Sequence, residues 1–373
     1  DGENGLNTGL ADLTLNGPVN ILSGGILSTG GTISFEAGAG ETSFANGMSG
    51  MLMKDSTLDL QTDLSVSWLE LSGESASFSS NGNTLKISNG LDIGGVELDF
   101  TDITTDNETY LNLVSDASLT KTGGLTLRQI DLKGYTLTLN QNITSLTANN
   151  IYFPDFNDSS PNYMLNTGKF KAEGVAVILR KMMYLNTGTM VMGGGKLTLE
   201  KGGFLQENAE LDLTDSTLEL AGPFYNYQAA GTLTTSASTL RLKSNVKFEP
   251  GNNATFETYE PNGWGMVLHN DAENSSEIIN LTLGTTGVDL TIEPNTESLT
   301  SGFVNYYSNE DGAVLDTNNH GIGVKSYGVD FTINGNLTLK NDAQLSVYNK
   351  NISLVNLNLE SGNVELNNSG ASL

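Results

Sequence analysis

Two histidines, no cysteine and 43 acidic residues are what this chain of 373 residues offers for chemistry. His269 has Asp271 two residues further on, and His320 stands apart from any such partner. A nucleophilic triad needs an imidazole held between a serine and a carboxylate. Serine is abundant throughout, so the pair carries little specificity, and an exposed loop histidine is the plainer reading. Paired carboxylates hydrolyse glycosides, yet 43 acidic residues form pairs by chance. The densest acidic string is Asp99, Asp102, Asp106 and Glu108. Oxygen ligands at Asp99, Asp102 and Asp106 suit Ca²⁺, and a solvated turn is again the plainer account. The calcium-binding nonapeptide is absent: Gly193-Gly-Gly195 runs into Lys196, and Gly94-Gly95 runs into Val96. No HExxH zinc motif and no phosphate-binding glycine loop occurs. Without cysteine there are no disulfides and no thiolate metal sites. The expectation is a protein that is not an enzyme and that holds no cofactor other than Ca²⁺.

Aromatic side chains give a second kind of chemistry. They gather where the prevailing pattern breaks, at Ile151–Met192, at Pro223-Phe-Tyr-Asn-Tyr-Gln228, at Tyr259–His269 and at Phe303–Tyr327. A ring stacks on a pyranose while Asn and Asp take its hydroxyls. Tyr225, Tyr227, Trp264, Tyr306, Tyr307 and His269 are therefore the candidate ligand-binding residues, for a polysaccharide or another surface ligand. The competing account packs the same rings against the flank of the fold.

The elements that must position these residues follow from a short apolar-polar-apolar unit. It recurs as Leu13-Thr-Leu15, Ile33-Ser-Phe35, Leu58-Asp-Leu60, Leu85-Lys-Ile87, Leu98-Asp-Phe100, Leu125-Thr-Leu127, Leu137-Thr-Leu139, Leu197-Thr-Leu199, Leu211-Asp-Leu213, Leu218-Glu-Leu220, Leu240-Arg-Leu242, Leu281-Thr-Leu283, Phe331-Thr-Ile333, Leu337-Thr-Leu339 and Leu357-Asn-Leu359. Alternation marks a strand with one buried and one wet face. Units this short gain a core only if the chain coils and stacks each on its counterpart in the next coil. Gly and Asn between them, as at Asn89-Gly90, Gly94-Gly95, Gly123-Gly124 and Asn334-Gly335-Asn336, make sharp corners at low steric cost. Three strands and three corners need roughly 20 residues per coil. A sandwich or barrel prefers strands of about 5–6 residues. The expected architecture is an all-β, right-handed parallel β-helix with irregular loop insertions, in a single domain over residues 1–373. The run Val175–Tyr184 is the best helix candidate, and its Val and Ile favour a strand.

The formal charge is −26, with 17 basic residues against the 43 acidic ones. Phosphate contacts need clustered Lys and Arg, so nucleic acid and anionic lipid are poor partners. No apolar run reaches the 18 or so residues that span a bilayer as a helix. Charged residues are only 16% of the chain, and Asn, Thr and Ser take their place. Sequons such as Asn107-Glu-Thr109 and Asn336-Leu-Thr338 arise by chance in such a composition and are not read as glycosylation sites.

The stretch Ala209-Glu-Leu-Asp-Leu-Thr-Asp-Ser-Thr-Leu-Glu-Leu-Ala-Gly222 is echoed by Asp55-Ser-Thr-Leu-Asp-Leu60, Gly30-Gly-Thr-Ile-Ser-Phe35 and Gly195-Lys-Leu-Thr-Leu199. In these the chain resembles bacterial autotransporter passengers and large surface adhesins, across most of its length. The resemblance implies a parallel β-helix displayed outside a Gram-negative cell, mediating attachment or self-association. At fold level the chain is also similar to pectate-lyase-like enzymes, although fold does not carry function. Neither end shows a polar capping helix, which predicts a segment of a longer surface protein or a subunit that stacks end to end. The alternative reading is a polysaccharide-binding module or a polysaccharide-active enzyme.

Overall fold

The computed structural model describes residues 6–17, 20–21, 25–36, 43–44, 50–105, 108–140, 142–153, 168–206, 208–226, 231–244, 246–249 and 254–260, and beyond these the backbones of strands from Met266–Asn270 to Gly362–Asn367. Among the described residues there is no helix. The chain divides into two compact units, Asp1–Arg180 and Lys181–Leu373. Each is a parallel β-solenoid.

In the first unit, one sheet stacks Leu6–Gly9, Ile26–Ser28, Gly50–Lys54, Leu64–Ser72, Leu85–Gly94, Tyr110–Leu113, Gln129–Asp131 and Asn150–Tyr152 in that order. The register explains why the sequence alternates. Leu69, Leu91, Leu111, Ile130 and Ile151 fall in one column, each at most 1% exposed. Their separations of 22, 20, 19 and 21 residues are the lengths of successive coils. Full burial of a Leu or Ile contributes about 1.5–3 kcal/mol, and no three-residue strand could reach that alone. Other sides of the coil are formed by Thr32–Phe35, Thr57–Leu60 and Ser77–Ser79, and later by Glu97–Asp99, Ala117–Thr120, Thr136–Leu139 and Lys169–Lys171.

The second unit shows the coil at its most regular. One turn runs Gly203–Leu205, Ala209–Asp212 and Thr217–Leu220, and the next runs Phe224–Asn226, Thr232–Thr234 and Thr239–Leu242. Each strand pairs in parallel with its counterpart: Phe204 with Tyr225, Leu211 with Leu233, Leu218 with Leu240. The corner before the third strand recurs in register. Gly194, Asp215 and Ala237 all hold positive φ, at 79°, 56° and 53°. Around them Gly195 N donates to Met192 O, Ser216 N to Leu213 O and Ser238 N to Thr235 O, closing tight turns. Met266–Asn270, Leu290–Pro294, Ile322–Val324, Ala343–Tyr348 and Gly362–Asn367 extend the sheet of Phe224–Asn226 with parallel pairing.

Two local expectations are corrected. Leu85–Gly94 is one strand of 10 residues, so Asn89-Gly90 does not make a corner. The register against Leu64–Ser72 slips between Ile87 and Gly90, so the turn residues are absorbed as a bulge. Asn334-Gly335-Asn336 behaves likewise, inside the 10-residue strand Phe331–Lys340 with a slip between Ile333 and Asn336. The run Val175–Tyr184 is strand, as its Val and Ile favour: Ala176–Leu179 and Met183–Leu185 each bury alternate side chains.

Candidate functional site

Among the described residues the inward faces of the strands are taken up by the core, so a site on those strands is built from outward residues. A parallel coil places those in columns along its axis, at the strand spacing of about 4.8 Å. The second unit carries one column of rings. Tyr184, Phe204 and Tyr225 are the central residues of Met183–Leu185, Gly203–Leu205 and Phe224–Asn226, and pair in register. Their flanking residues Met183, Leu185, Leu205 and Phe224 are fully buried, which fixes the central side chain outward. Tyr184 and Phe204 stack with centroids 5.4 Å apart and planes within 2°. Phe204 and Tyr225 follow at 4.9 Å and 28°. Tyr184 is 47% exposed, and Phe204 and Tyr225 are half-buried. The column is a continuous apolar strip that a flat ligand or a second surface can lie against.

A second outward column sits on another face of the same unit. Thr198, Glu219, Arg241 and Glu260 pair in register. Glu219 is 3% exposed, the one buried charged residue among those described. Its carboxylate accepts from Thr198 Oγ1 at 3.0 Å and lies 2.8 Å from Lys243 Nζ. Lys196 Nζ and an Arg241 guanidinium nitrogen each lie 3.7 Å away. Burial pushes the Glu219 carboxyl up, and the hydrogen bonds from Lys243 and Thr198 with the charges of Lys196 and Lys243 more than offset it, so it is held below its ordinary range. The Arg241 guanidinium is raised by its hydrogen bond to Glu260 against the cost of burial. A glycosidase acid needs its carboxyl raised towards neutrality. Glu219 is shifted the other way and saturated by cations, as befits a clasp between coils.

Of the candidate residues, Tyr225 lies in the aromatic column. Tyr227, Trp264, Tyr306 and Tyr307 lie outside the described residues, as do His320 and Asp271. His269 belongs to the strand Met266–Asn270, with its backbone in register with Glu293. Asp99 is exposed and accepts from the N–H and the hydroxyl of Thr101 at 2.8 and 2.6 Å. Asp102 accepts from the Ser80 hydroxyl, Glu108 pairs with Arg128, and Asp106 lies outside the described residues. Among the described residues no group of three His, Asp or Glu is placed to hold a metal ion, nor is any helix long and apolar enough to cross a membrane. In the first unit an open groove of about 420 Å³ is lined by Thr138, Leu139, Asn140, Asn142, Lys171 and Glu173, with no ring in it.

Sequence reading singled out Tyr225 and missed Tyr184 and Phe204. The signal was present: aromatic residues at 184, 204 and 225 stand one coil apart, each in a strand whose neighbours point inward. Reading clusters along the chain hides a column that only coil-period alignment reveals. No family model matches the chain, and neither does any curated protein or any solved structure. The outer columns are therefore what speaks for function.

Proposed function

We propose that this chain is a structural and adhesive β-solenoid of a bacterial cell surface, acting outside the cell in attachment or self-association. The observation that carries this is the column Tyr184–Phe204–Tyr225. It places rings in line on an outer face, where a folded chain gains little by leaving them wet. Support comes from the resemblance of the repeat units to passengers and adhesins. A net charge of −26 adds to it, by opposing indiscriminate sticking to other acidic surfaces. Among the described residues the one buried carboxylate, Glu219, is engaged by Thr198, Lys243 and Lys196 as a clasp between coils.

The test is attachment. Beads coated with the protein are flowed over bacterial and polysaccharide-coated surfaces, beside beads carrying Tyr184→Ser and Tyr225→Ser together. The reading predicts firm retention of the first and weaker retention of the second, with the strand content of both unchanged by circular dichroism. Equal retention of both contradicts it. Light scattering over a range of concentrations separates attachment from self-association, because only the latter changes particle size.

A further inference from the structure

The first unit contains one tryptophan, Trp68, in the strand Leu64–Ser72. It is half-buried and stands in register between Gly50 on one side and Gly90 on the other. Both glycines are buried although this column faces outward. At Gly90 the reason is the indole, and at Gly50 the indole together with the backbone of Trp68. A Cβ at Gly50 would come within 2.4 Å of the Trp68 carbonyl oxygen and 2.6 Å of Trp68 Cε3, and a Cβ at Gly90 within 2.8 Å of Trp68 Cδ1. The six-membered ring thus reaches over one neighbouring strand and the pyrrole edge over the other. Trp68 lies flat across three coils, on a shelf that only glycines leave low enough. Gly90 has no positive φ, so backbone conformation does not demand glycine there. All three of the nearest atoms to its added Cβ belong to the indole.

Two residues along the same strands runs a polar column. Glu70, Asp92 and Asn112 are in register, and Asn112 Nδ2 donates to Asp92 Oδ1 at 2.6 Å. Ser72 Oγ donates to Glu70 Oε1 at 2.8 Å. Each carboxylate retains lone pairs for further donors. The next ring in Trp68's column, Tyr110, has its face covered by the Arg128 guanidinium, 4.8 Å from the ring centroid. A flat indole beside a row of hydroxyl acceptors has the makings of a sugar subsite: one apolar platform and a few convergent polar groups.

We infer that Trp68 is the stacking platform of a carbohydrate subsite, with Glu70, Asp92 and Asn112 accepting and donating hydrogen bonds to the hydroxyls of a neutral, all-equatorial hexose chain running along the coil axis. The all-equatorial ring presents its axial C–H bonds as a flat apolar face to the indole. The row of carboxylates excludes uronic acids by like-charge repulsion. This rests on the reading of the chain as a surface-binding solenoid, but stands on a different unit from the Tyr184 column. Each therefore fails or holds by its own variants.

The experiment uses the full chain carrying Trp264→Phe, which leaves Trp68 as the single indole. Its emission is followed during titration with cellohexaose and, separately, with oligogalacturonate, both to millimolar concentration. The expected result is a saturable blue shift with cellohexaose alone, as the indole face leaves water. Calorimetry should then show that Gly90→Ala, whose methyl meets only the indole, weakens cellohexaose binding at least about tenfold, the equivalent of 1.4 kcal/mol. Trp68→Ala should weaken it further still. No saturable shift with cellohexaose, an equal shift with oligogalacturonate, or unchanged affinity in Gly90→Ala overturns the assignment.

Discussion

Lys243 Nζ lies 2.8 Å from Glu219 Oε1, and the carboxylate it meets is 3% exposed. The two belong to successive coils, Glu219 in Thr217–Leu220 and Lys243 just past Thr239–Leu242. Arg241 carries the same link on to Glu260 of the following coil. The column therefore ties coil to coil by charge on an outer face, while leucines do so inside.

That tie has a pH dependence with a definite sign. The folded-state pKa of Glu219 is depressed. Its contribution is thus fully present above the ordinary carboxylate range and is lost as pH falls through the folded value. The melting temperature should fall on acidification, and Glu219→Gln should flatten that part of the profile. At neutral pH the same substitution should cost about 1–3 kcal/mol, because Lys243 and Lys196 lose a carboxylate and Arg241 keeps only Glu260. Thermal melts of both proteins across pH 3–7, the span in which carboxylates titrate, check it. Parallel profiles would contradict the assignment.

The corner column offers a stabilising change. Ala237 holds φ at 53°, where a Cβ crowds the following carbonyl, and its counterpart one turn of the column earlier than Asp215 is Gly194. A left-handed residue that is not glycine costs roughly 1–2 kcal/mol. Ala237→Gly should raise the melting temperature, and Gly194→Ala should lower it. A Cβ at Gly194 meets nothing within 4 Å, so backbone strain is the whole cost. Differential scanning calorimetry reads both.

Inward positions should lose far more than outward ones on truncation. Leu213 is 0% exposed, and Leu213→Ala should cost about 2–5 kcal/mol through lost burial and the cavity left behind. Thr217→Ala, on the outer face of the neighbouring strand, should stay within about 0.5 kcal/mol. Chemical denaturation of the two variants compares them directly.

Stacking within the aromatic column should be measurable apart from any ligand. Pairs of rings in such geometry are worth about 0.5–1.5 kcal/mol beyond area. A double-mutant cycle between Tyr184→Ala and Phe204→Ala should return a coupling of that size. Zero coupling would show that the rings are neighbours without interacting.

The sequence displayed the fold because the core has one rule: apolar, polar, apolar, repeated at each side of the coil. Leu58 and Leu60, Leu137 and Leu139, Leu218 and Leu220, and Leu240 and Leu242 are buried where that alternation puts them. Corners were less legible, because glycine and asparagine serve a bulge as readily as a turn. Asn89-Gly90 looked like Gly94-Gly95, yet only the latter turns the chain, with Gly95 at a φ of 73°. The outer columns were least legible. Trp68 and Gly90, or Tyr184 and Tyr225, are joined by coil length, which varies between 18 and 25 residues in the sheet of the first unit. A fixed-period scan misses partners whose spacing drifts in this way.

The central claim is that outward aromatic columns carry the function. The most direct measurement is affinity retention of the purified chain on an immobilised neutral polysaccharide, at moderate and at high salt. The comparison variants are Trp68→Ala and the pair Tyr184→Ser with Tyr225→Ser. Retention by stacking depends on rings and not on charge. The account predicts retardation that persists at high salt, weakens in either variant and vanishes when both are combined, with the strand content unchanged by circular dichroism. Retardation that disappears with salt, or that survives in the combined variant, contradicts it.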